Sequence, residues 1–199
     1  MASMKEVNEL GSYAKGWGVN IGCGPRPFPG AINVDLNPDA LADVFADAAN
    51  LPFYSNRFDF LVSSHCLEHV QQAPLIVLRE WLRVLKPGGV LAFIVPNGQD
   101  GPSALGESPD YFVAGKHVHI FTPETLKCLV EYAGAAVERC EIITRSEWKT
   151  TTILLVARRG MRLWPEIDSA SIEAKLIWLK AVRKNVTARG LKKWFSHPW

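Results

Sequence analysis

This 199-residue sequence has few of the cysteine patterns that are typical of disulfide-bonded secreted proteins or of structural metal sites. There are four cysteines, no two of them form a C-x-x-C pair, and they do not combine with histidines into a zinc-ligand motif. We therefore expect free thiols in a reducing cytoplasm, with neither a disulfide framework nor a metal site. The cysteines are Cys23, Cys66, Cys128 and Cys140.

Long hydrophobic runs are also missing. No stretch reaches the roughly eighteen apolar residues that suggest a membrane-spanning helix. Residues 1–18 contain Lys5, Glu6 and Glu9 where a signal peptide would need an apolar core. The chain has no internal repeat and no low-complexity segment. The sequence therefore predicts a soluble cytoplasmic protein.

Charge is spread unevenly along the chain, although the net charge is only +2. Residues 161–199 carry eight Lys or Arg against three acidic residues, and residues 1–160 carry fourteen against seventeen. With 48% hydrophobic residues, the whole chain can bury a substantial core. We predict one domain over residues 1–160 and a basic helical extension over residues 161–199, packed on the domain or on a partner.

The extension has three interpretations. Residues 171–189 show an apolar helical stripe, which favours a helix that covers the domain or pairs with a second copy in a homodimer. An interfacial membrane helix comes second, supported by Trp194 and Trp199 near Lys192 and Lys193. A nucleic-acid patch comes last, because the positive charge is modest. We therefore predict no nucleic-acid partner.

Short apolar runs followed by small or polar residues are typical of buried parallel strands. Such runs occupy residues 19–22, 32–36, 58–63 and 90–96, with a weaker candidate at 43–46. A leucine stripe predicts a crossover helix over residues 74–85, which Lys86-Pro87-Gly88-Gly89 would end with a turn. A second helix at 122–134 precedes two β-rich runs at 136–143 and 151–157, which predict an antiparallel hairpin.

A glycine-flanked loop follows the first predicted strand, where open parallel sheets bind their ligands. Gly22-Cys23-Gly24 would let a ligand approach the backbone closely, and Asp35 at the end of the next strand could accept two hydrogen bonds from a ribose diol. This pattern predicts a nucleoside-cofactor site. The alternative is that Asp35 and Asp47 simply form turns, which aspartate favours. Cys23 is interpreted as a small packing residue, since no base stands beside it in the sequence.

A nicotinamide site fits this loop poorly. The run Pro25-Arg26-Pro27-Phe28-Pro29 cannot continue an ordinary helix, and Asp35 arrives before the roughly 20-residue spacing of that motif.

Only residues 23–30 join the first two strands, whereas a parallel crossover normally takes about a dozen residues or more. We therefore predict that the crossover helix is absent or a mere turn. One sheet face would then be thinly covered, with the N-terminal segment or the basic extension lying over it.

Several ordered segments together resemble the class I S-adenosylmethionine-dependent methyltransferases, particularly the small type 11 group. The resemblance covers roughly residues 19–157, and the segments that carry it read VNIGCG, INVDLNP, DAANLPF, FDFLVSSHCLEHV, LREWLRVLKPGGVLAFIVPN and HVHIFTPETLKCLVEYAGA. The resemblance implies an α/β Rossmann-like methyltransferase fold, with a mainly parallel sheet, an antiparallel C-terminal hairpin and three layers with reduced helices. It implies S-adenosylmethionine as cofactor and methyl transfer to a small-molecule acceptor, with a softer association to sugars or lipid-linked glycans.

The resemblance also implies which residues hold the cofactor. The methionine and ribose parts would be lined by Asn20, Gly22, Cys23 and Gly24, and the ribose hydroxyls would be held by Asp35. The adenine would be contacted by Leu36, Asp47 and Ala48. The methyl group would be bordered by Ser64 and His65. Asn20 departs from the family, which usually has an acid there. That departure and the short crossover support an alternative, a non-catalytic protein of the same fold that acts as a binding or regulatory partner.

An oxygen acceptor would benefit from a general base, for which histidine is the natural choice. Four histidines are candidates: His65, His69, His117 and His119. His69 is better interpreted as structural, and alternation places His117 and His119 on one side of an extended segment. Our hypothesis is that His65 or His119 is the base. The loop over residues 97–116 is predicted to supply acceptor contacts.

Overall fold

The structure, a computed structural model, describes residues 4–100, 117–145 and 150–161. Its strands are β1 (Gly18–Ile21), β2 (Ala31–Asp35), β3 (Val44–Phe45), β4 (Phe58–Ser64), β5 (Leu85–Pro96), β6 (Ala135–Arg145) and β7 (Thr150–Arg159). They form one sheet in the order β3-β2-β1-β4-β5-β7-β6. The first five strands pair in parallel, and β7 runs antiparallel to both β5 and β6. The predicted Rossmann-like architecture with an antiparallel hairpin is confirmed.

Two of the three described helices cover one face of the sheet. The helices are α1 (Met4–Gly11), α2 (Pro74–Val84) and α3 (Pro123–Ala133). Helix α2 buries Leu78 and Trp81 in the larger core, to which α3 contributes Leu126 and Val130. Thr122 caps α3, where its Oγ1 accepts a hydrogen bond from Thr125 N at 3.3 Å. The apolar stripes and the cap therefore predicted both helices correctly.

The opposite face is covered by α1, which the sequence analysis did not predict. Leu10 of this helix packs against Phe28, Phe60 and Ile94. Within the described chain, residues 22–30 contain turns and no helix, which confirms the short crossover. The N-terminal segment therefore lies over the thinly covered face. This confirms one of the two expectations for that face, the other being coverage by the basic extension. The extension was predicted over residues 161–199, and all of it except Met161 lies outside the described residues, including its predicted helix.

A buried hydrogen-bond network centred on Asn33 takes the place of the missing crossover helix. The Asn33 side chain is 1% exposed. Its Oδ1 accepts from Phe28 N at 2.6 Å and from Asn20 Nδ2 at 3.0 Å, and its Nδ2 donates to Asp43 Oδ2 at 3.2 Å. Backbone groups of a buried loop need partners that a helix would supply internally. This network supplies them, and it holds the glycine loop against the sheet.

The segment after α2 differs from its prediction in one respect. Lys86-Pro87-Gly88-Gly89 does not separate the helix from the next strand as a free turn, because β5 already begins at Leu85. Leu85 pairs with Phe58 and Val90 pairs with Phe60, so the four residues between them bulge out of the ladder. Gly88 has φ +76°, which a glycine adopts without strain. The strand is therefore longer than the apolar pattern indicated.

The described residues include no helix that is both long enough and apolar enough to span a membrane.

Candidate active site

The carboxyl ends of β1, β2 and β4 lie side by side. The parallel register pairs Ile21 with Val34 on one side and with Ser63 on the other. The residues that follow or end these strands, Gly22, Asp35 and Ser64, therefore meet at one edge of the sheet. This is the edge at which the sequence predicted the cofactor site.

Gly22 is required by both its conformation and its surroundings. It has φ +74°, in the left-handed region. A Cβ built on it would lie 2.6 Å from the Cβ and 2.8 Å from the Sγ of Cys66. Gly24 also has a positive φ, +52°, but a Cβ there would meet no described atom within 4 Å. The loop is therefore closely packed against Cys66 at Gly22, whereas the space next to Gly24 is open. This leaves room for a ligand at the strand ends.

Asp35 fastens the glycine loop to the end of β2. Its Oδ2 accepts a hydrogen bond from Gly24 N at 2.7 Å, and its Oδ1 accepts one from Asn37 N at 2.9 Å. A carboxylate offers about four acceptor positions, so two remain for other donors. Leu36 beside it is 68% exposed. An acceptor and an uncovered apolar side chain therefore stand together at this strand end, as a ribose and an adenine would need.

Asp47 follows β3 and makes a turn of its own. Its Oδ1 accepts from Ala49 N at 2.8 Å, and its Oδ2 accepts from Gln72 Nε2 at 3.1 Å. The carbonyl of Ala48 accepts from Trp81 Nε1 at 3.0 Å, which ties this turn to the core. The turn-forming interpretation of both aspartates thus describes their contacts in this structure. Those contacts still leave acceptor positions on each carboxylate.

Two other predicted cofactor residues face inward. Asn20 is buried and donates to Asn33, so its side chain belongs to the network under the loop. Cys23 is buried with Ala40 and Ala42, which agrees with its interpretation as a packing residue. Any contact of Cys23 with a cofactor would come from its backbone. The cofactor role of both residues stays a prediction.

Ser64 ends β4 with an unsatisfied hydroxyl. Its Oγ is buried, and no group in the described ranges forms a hydrogen bond with it. A buried hydroxyl without a partner is unfavourable by about 1–3 kcal/mol. A polar ligand at the carboxyl edge would satisfy it. Ser64 therefore supports the predicted position of the bound molecule.

His65 lies between two buried carboxylates. It has φ +53°, which is uncommon outside glycine. Its Nε2 lies 3.0 Å from Glu6 Oε1, and its Nδ1 lies 3.3 Å from Glu68 Oε1. Burial alone would lower the pKa of this imidazole, but the hydrogen bonds and the charges of Glu6 and Glu68 outweigh burial and raise it. The contacts therefore favour the protonated form, which cannot accept a further proton.

The other three histidines converge on the turn after β4. His117 and His119 lie on the same side of their segment, whereas Val118 and Ile120 are exposed. The rings of His69 and His117 have centroids 4.8 Å apart. Burial lowers the pKa of both. His119 Nε2 lies 3.0 Å from the carbonyl oxygen of Val70 and 3.1 Å from that of Gln72, so Nε2 carries the proton and Nδ1 is the basic nitrogen.

The comparison with protein families decides what kind of domain this is. Residues 9–139 match the family model described as a methyltransferase domain, which is more than half of the chain. The chain belongs to this methyltransferase family. The resemblance to class I S-adenosylmethionine-dependent methyltransferases is thereby confirmed, and the finer assignment to the type 11 group stays a prediction. The search of curated proteins found no match for this methyltransferase.

Solved structures of low sequence identity share the fold of the methyltransferase. An S-adenosylmethionine-dependent methyltransferase from Mesorhizobium loti is 22% identical, with a TM-score of 0.58 over 71% of this chain and 90% of that chain. The 1,6-didemethyltoxoflavin-N1-methyltransferase of Burkholderia thailandensis is 17% identical, with a TM-score of 0.58 over 77% and 74%. SpnF, a [4+2]-cyclase, is 16% identical, with a TM-score of 0.63 over 79% and 82%. The fold alone therefore does not select one reaction.

Sequence reasoning missed the two carboxylates around His65. Glu6 lies in α1, far from the site in sequence, and no local pattern pointed to it. Glu68 had a signal, because it follows His65 by three residues and faces it across the single 3-10 turn Leu67–His69. Both side chains are almost fully buried. They make this part of the site strongly acidic.

Proposed function

We propose that this methyltransferase transfers a methyl group from S-adenosylmethionine to a small-molecule acceptor at the carboxyl edge of the sheet. The observation that carries the proposal is the open space above Gly24 beside the carboxylate of Asp35 and the exposed Leu36. At a finer level, we propose a sugar or lipid-linked glycan as the acceptor. That choice rests only on the resemblance of the sequence motifs to those of methyltransferases associated with such acceptors.

The residues at this edge fit the cofactor. The backbone of Gly22 and Gly24 would approach the methionine and ribose parts, since neither residue has a side chain that blocks the strand ends. Asp35 would accept hydrogen bonds from the ribose hydroxyls, and Asp47 would accept one from the adenine amine. The unsatisfied Ser64 hydroxyl would border the reacting end. When bound, the cofactor supplies an electrophilic methyl group on a sulfonium.

The chain's own contribution is mainly orientation. Methyl transfer is a direct displacement, so holding the acceptor in line with the methyl group and excluding water can supply most of the acceleration. The loop that begins at Asn97 is proposed to contact the acceptor. The part over residues 101–116 lies outside the described residues.

Of the two proposed bases, the contacts favour His119. Glu6 and Glu68 raise the pKa of His65 and so favour its protonated form, which suits it to positioning or to charge stabilisation. His119 keeps its Nε2 proton on backbone carbonyls and therefore presents Nδ1 as a proton acceptor. Its backbone N–H also donates to the Glu68 carbonyl at 3.2 Å, which fixes the segment. We propose His119 as the base for an oxygen acceptor.

Replacement of Asp35 tests cofactor binding directly. We expect Asp35→Asn to weaken binding of S-adenosylhomocysteine by about 10- to 150-fold, because hydrogen bonds to a charged acceptor contribute about 1.5–3 kcal/mol. Isothermal titration of the purified protein measures this effect. Asp39→Asn is the matched control, since Asp39 is an exposed acid in the turn that follows β2.

Two results of that titration would count against the proposal. If the wild-type protein does not bind S-adenosylhomocysteine, the proposed function is wrong. If Asp35→Asn binds as tightly as Asp39→Asn, the ribose is held elsewhere. The acceptor is tested separately by incubating the protein with methyl-labelled S-adenosylmethionine and fractionated small-molecule and lipid extracts. Label in a saccharide-containing product would support the finer proposal, and label confined to other classes would contradict it.

A further inference from the structure

We propose that Glu68, His69 and His117 form a binding site for one divalent transition-metal ion. The three side chains come from two segments, the turn after β4 and the extended segment before α3. They meet beside His65, close to the end of β4 where the acceptor is proposed to bind. Nothing in the function proposed above requires this metal, so the site is an addition to it.

The distances between the three side chains suit a single ion. One ligand atom from each residue can be chosen so that all lie within 4.8 Å of one another. Glu68 Oε1 and His69 Nε2 are 3.7 Å apart. Bonds of about 2.0–2.2 Å to nitrogen and oxygen would place the ligands of one ion about 3–4 Å apart. Small side-chain rotations would therefore complete the site without movement of the backbone.

The buried carboxylate of Glu68 is independent evidence for a bound cation beside the two histidines. Its side chain is 1% exposed, and neither carboxylate oxygen has a hydrogen bond of standard geometry within the described residues, although His65 Nδ1 lies 3.3 Å and His69 Nε2 3.7 Å from Oε1. The nearest positive charge is His65, whose other nitrogen is bonded to Glu6. A buried carboxylate is costly unless it is paired and hydrogen-bonded, by several kcal/mol. His65 offsets part of that cost, and a metal ion bound by Glu68 would give the carboxylate oxygens the direct partner that they lack.

The backbone already holds the two segments in register. The Glu68 carbonyl oxygen accepts hydrogen bonds from Val118 N at 2.8 Å and from His119 N at 3.2 Å. These bonds place His117 next to the turn that carries Glu68 and His69. The 38% exposure of the His69 side chain gives an ion access from solvent. The site is therefore assembled by the fold and open on one side.

Two imidazoles and one carboxylate favour transition metals such as Zn²⁺, Co²⁺ or Fe²⁺ over Mg²⁺ and Ca²⁺, which prefer oxygen ligands. Three protein ligands leave at least one coordination position for another group. If the proposed methyl transfer is correct, that position would suit an oxygen of the acceptor, because a bound metal lowers the pKa of a hydroxyl or water. This extension rests on the proposed function, whereas the metal site itself does not.

No metal site was predicted from the sequence, because the cysteines form no zinc-ligand pattern. Glu68 and His69 are adjacent, and His117 joins them only through the pairing of distant segments. Metal ligands need to be close in space and not in sequence. The site could therefore be found only in the folded chain.

Titration of the purified, metal-stripped protein with Co²⁺ alone tests the proposal. We expect one Co²⁺ to bind per chain, with the visible absorption of protein-bound cobalt. Glu68→Gln and His69→Gln should each weaken binding at least about tenfold, since even supporting residues around a metal typically contribute 10- to 100-fold. Glu138→Gln is the matched control, because Glu138 is an exposed acid on β6. Circular dichroism confirms that each variant is folded.

The proposal is overturned if the wild-type protein shows no saturable binding of one Co²⁺ per chain. It is also overturned if Glu68→Gln and His69→Gln both bind as tightly as Glu138→Gln. A separate titration with S-adenosylhomocysteine in chelator-treated buffer keeps this outcome apart from the proposed function. Loss of cobalt binding alone rejects the metal site, and loss of nucleoside binding alone rejects the proposed function.

Discussion

Replacement of Gly22 by alanine is expected to destabilise the protein by about 2–5 kcal/mol and to weaken S-adenosylhomocysteine binding at least about tenfold. The left-handed φ of +74° costs a residue with a Cβ about 1–2 kcal/mol. The new methyl group would lie 2.6 Å from the Cβ of Cys66, and overpacking of this kind costs about 1–3 kcal/mol more. The loop can avoid the overlap only by moving toward the cofactor position, which explains the expected loss of affinity. Urea denaturation and isothermal titration measure the two effects.

Gly24→Ala separates the two causes. Gly24 has a similar positive φ, but its added methyl group would meet no described atom within 4 Å. We expect this variant to lose only the conformational part, about 1–2 kcal/mol. Equal destabilisation of the two variants would show that the contact between Gly22 and Cys66 is unimportant. Overlap with Cys66 would then not explain why residue 22 is a glycine.

Asn33→Ala is expected to cost about 3–5 kcal/mol of stability. The Asn33 side chain is bonded to Asn20, Asp43 and the backbone of Phe28, and all of these bonds are buried. Each buried polar group that loses its partner costs about 1–3 kcal/mol, and the hole left by the amide adds to this. Because no described helix spans the crossover, the loop has few other contacts to replace the network. Thermal and urea denaturation measure the loss.

Asn8→Ala is the control for that variant. Asn8 is exposed on α1, and alanine has the higher helix propensity, so we expect its stability to change by less than about 0.5 kcal/mol. If Asn33→Ala were as stable as Asn8→Ala, the amide network would not be what holds the crossover. The short connection between β1 and β2 would then need another explanation.

Local patterns predicted most of the secondary structure because they report local physics. The runs that became β1, β2 and β4 are rich in Val, Ile, Leu and Phe, and most of their residues are buried on both faces, as in strands between layers. The Thr122 cap and the leucine stripe of α2 likewise set their helices from a few neighbouring residues. In contrast, the helical form of α1 was not predicted, although the N-terminal segment was one of the two segments expected over the thinly covered face. The bulge at residues 86–89 was also read as a plain turn.

For the candidate site, the glycine loop and Asp35 could be predicted because a bare loop and a strand-end acid are local features of one sheet edge. The partners of the histidines could not. His65 meets Glu6 from α1 on one side and Glu68 on the other, and this pairing decides that it favours the protonated form.

The sequence by itself predicted the fold class and the methyltransferase family, which are confirmed, and the edge of the sheet where we propose that a nucleoside binds, because these depend on periodicity, glycine positions and strand-end residues. Only the tertiary structure decided how the crossover without a helix is held, which carboxylates raise the pKa of His65 and that His117 stands beside Glu68 and His69. These features depend on contacts between residues far apart in the chain. The strength of such contacts is set by burial and by neighbouring charges, which exist only once the chain has folded.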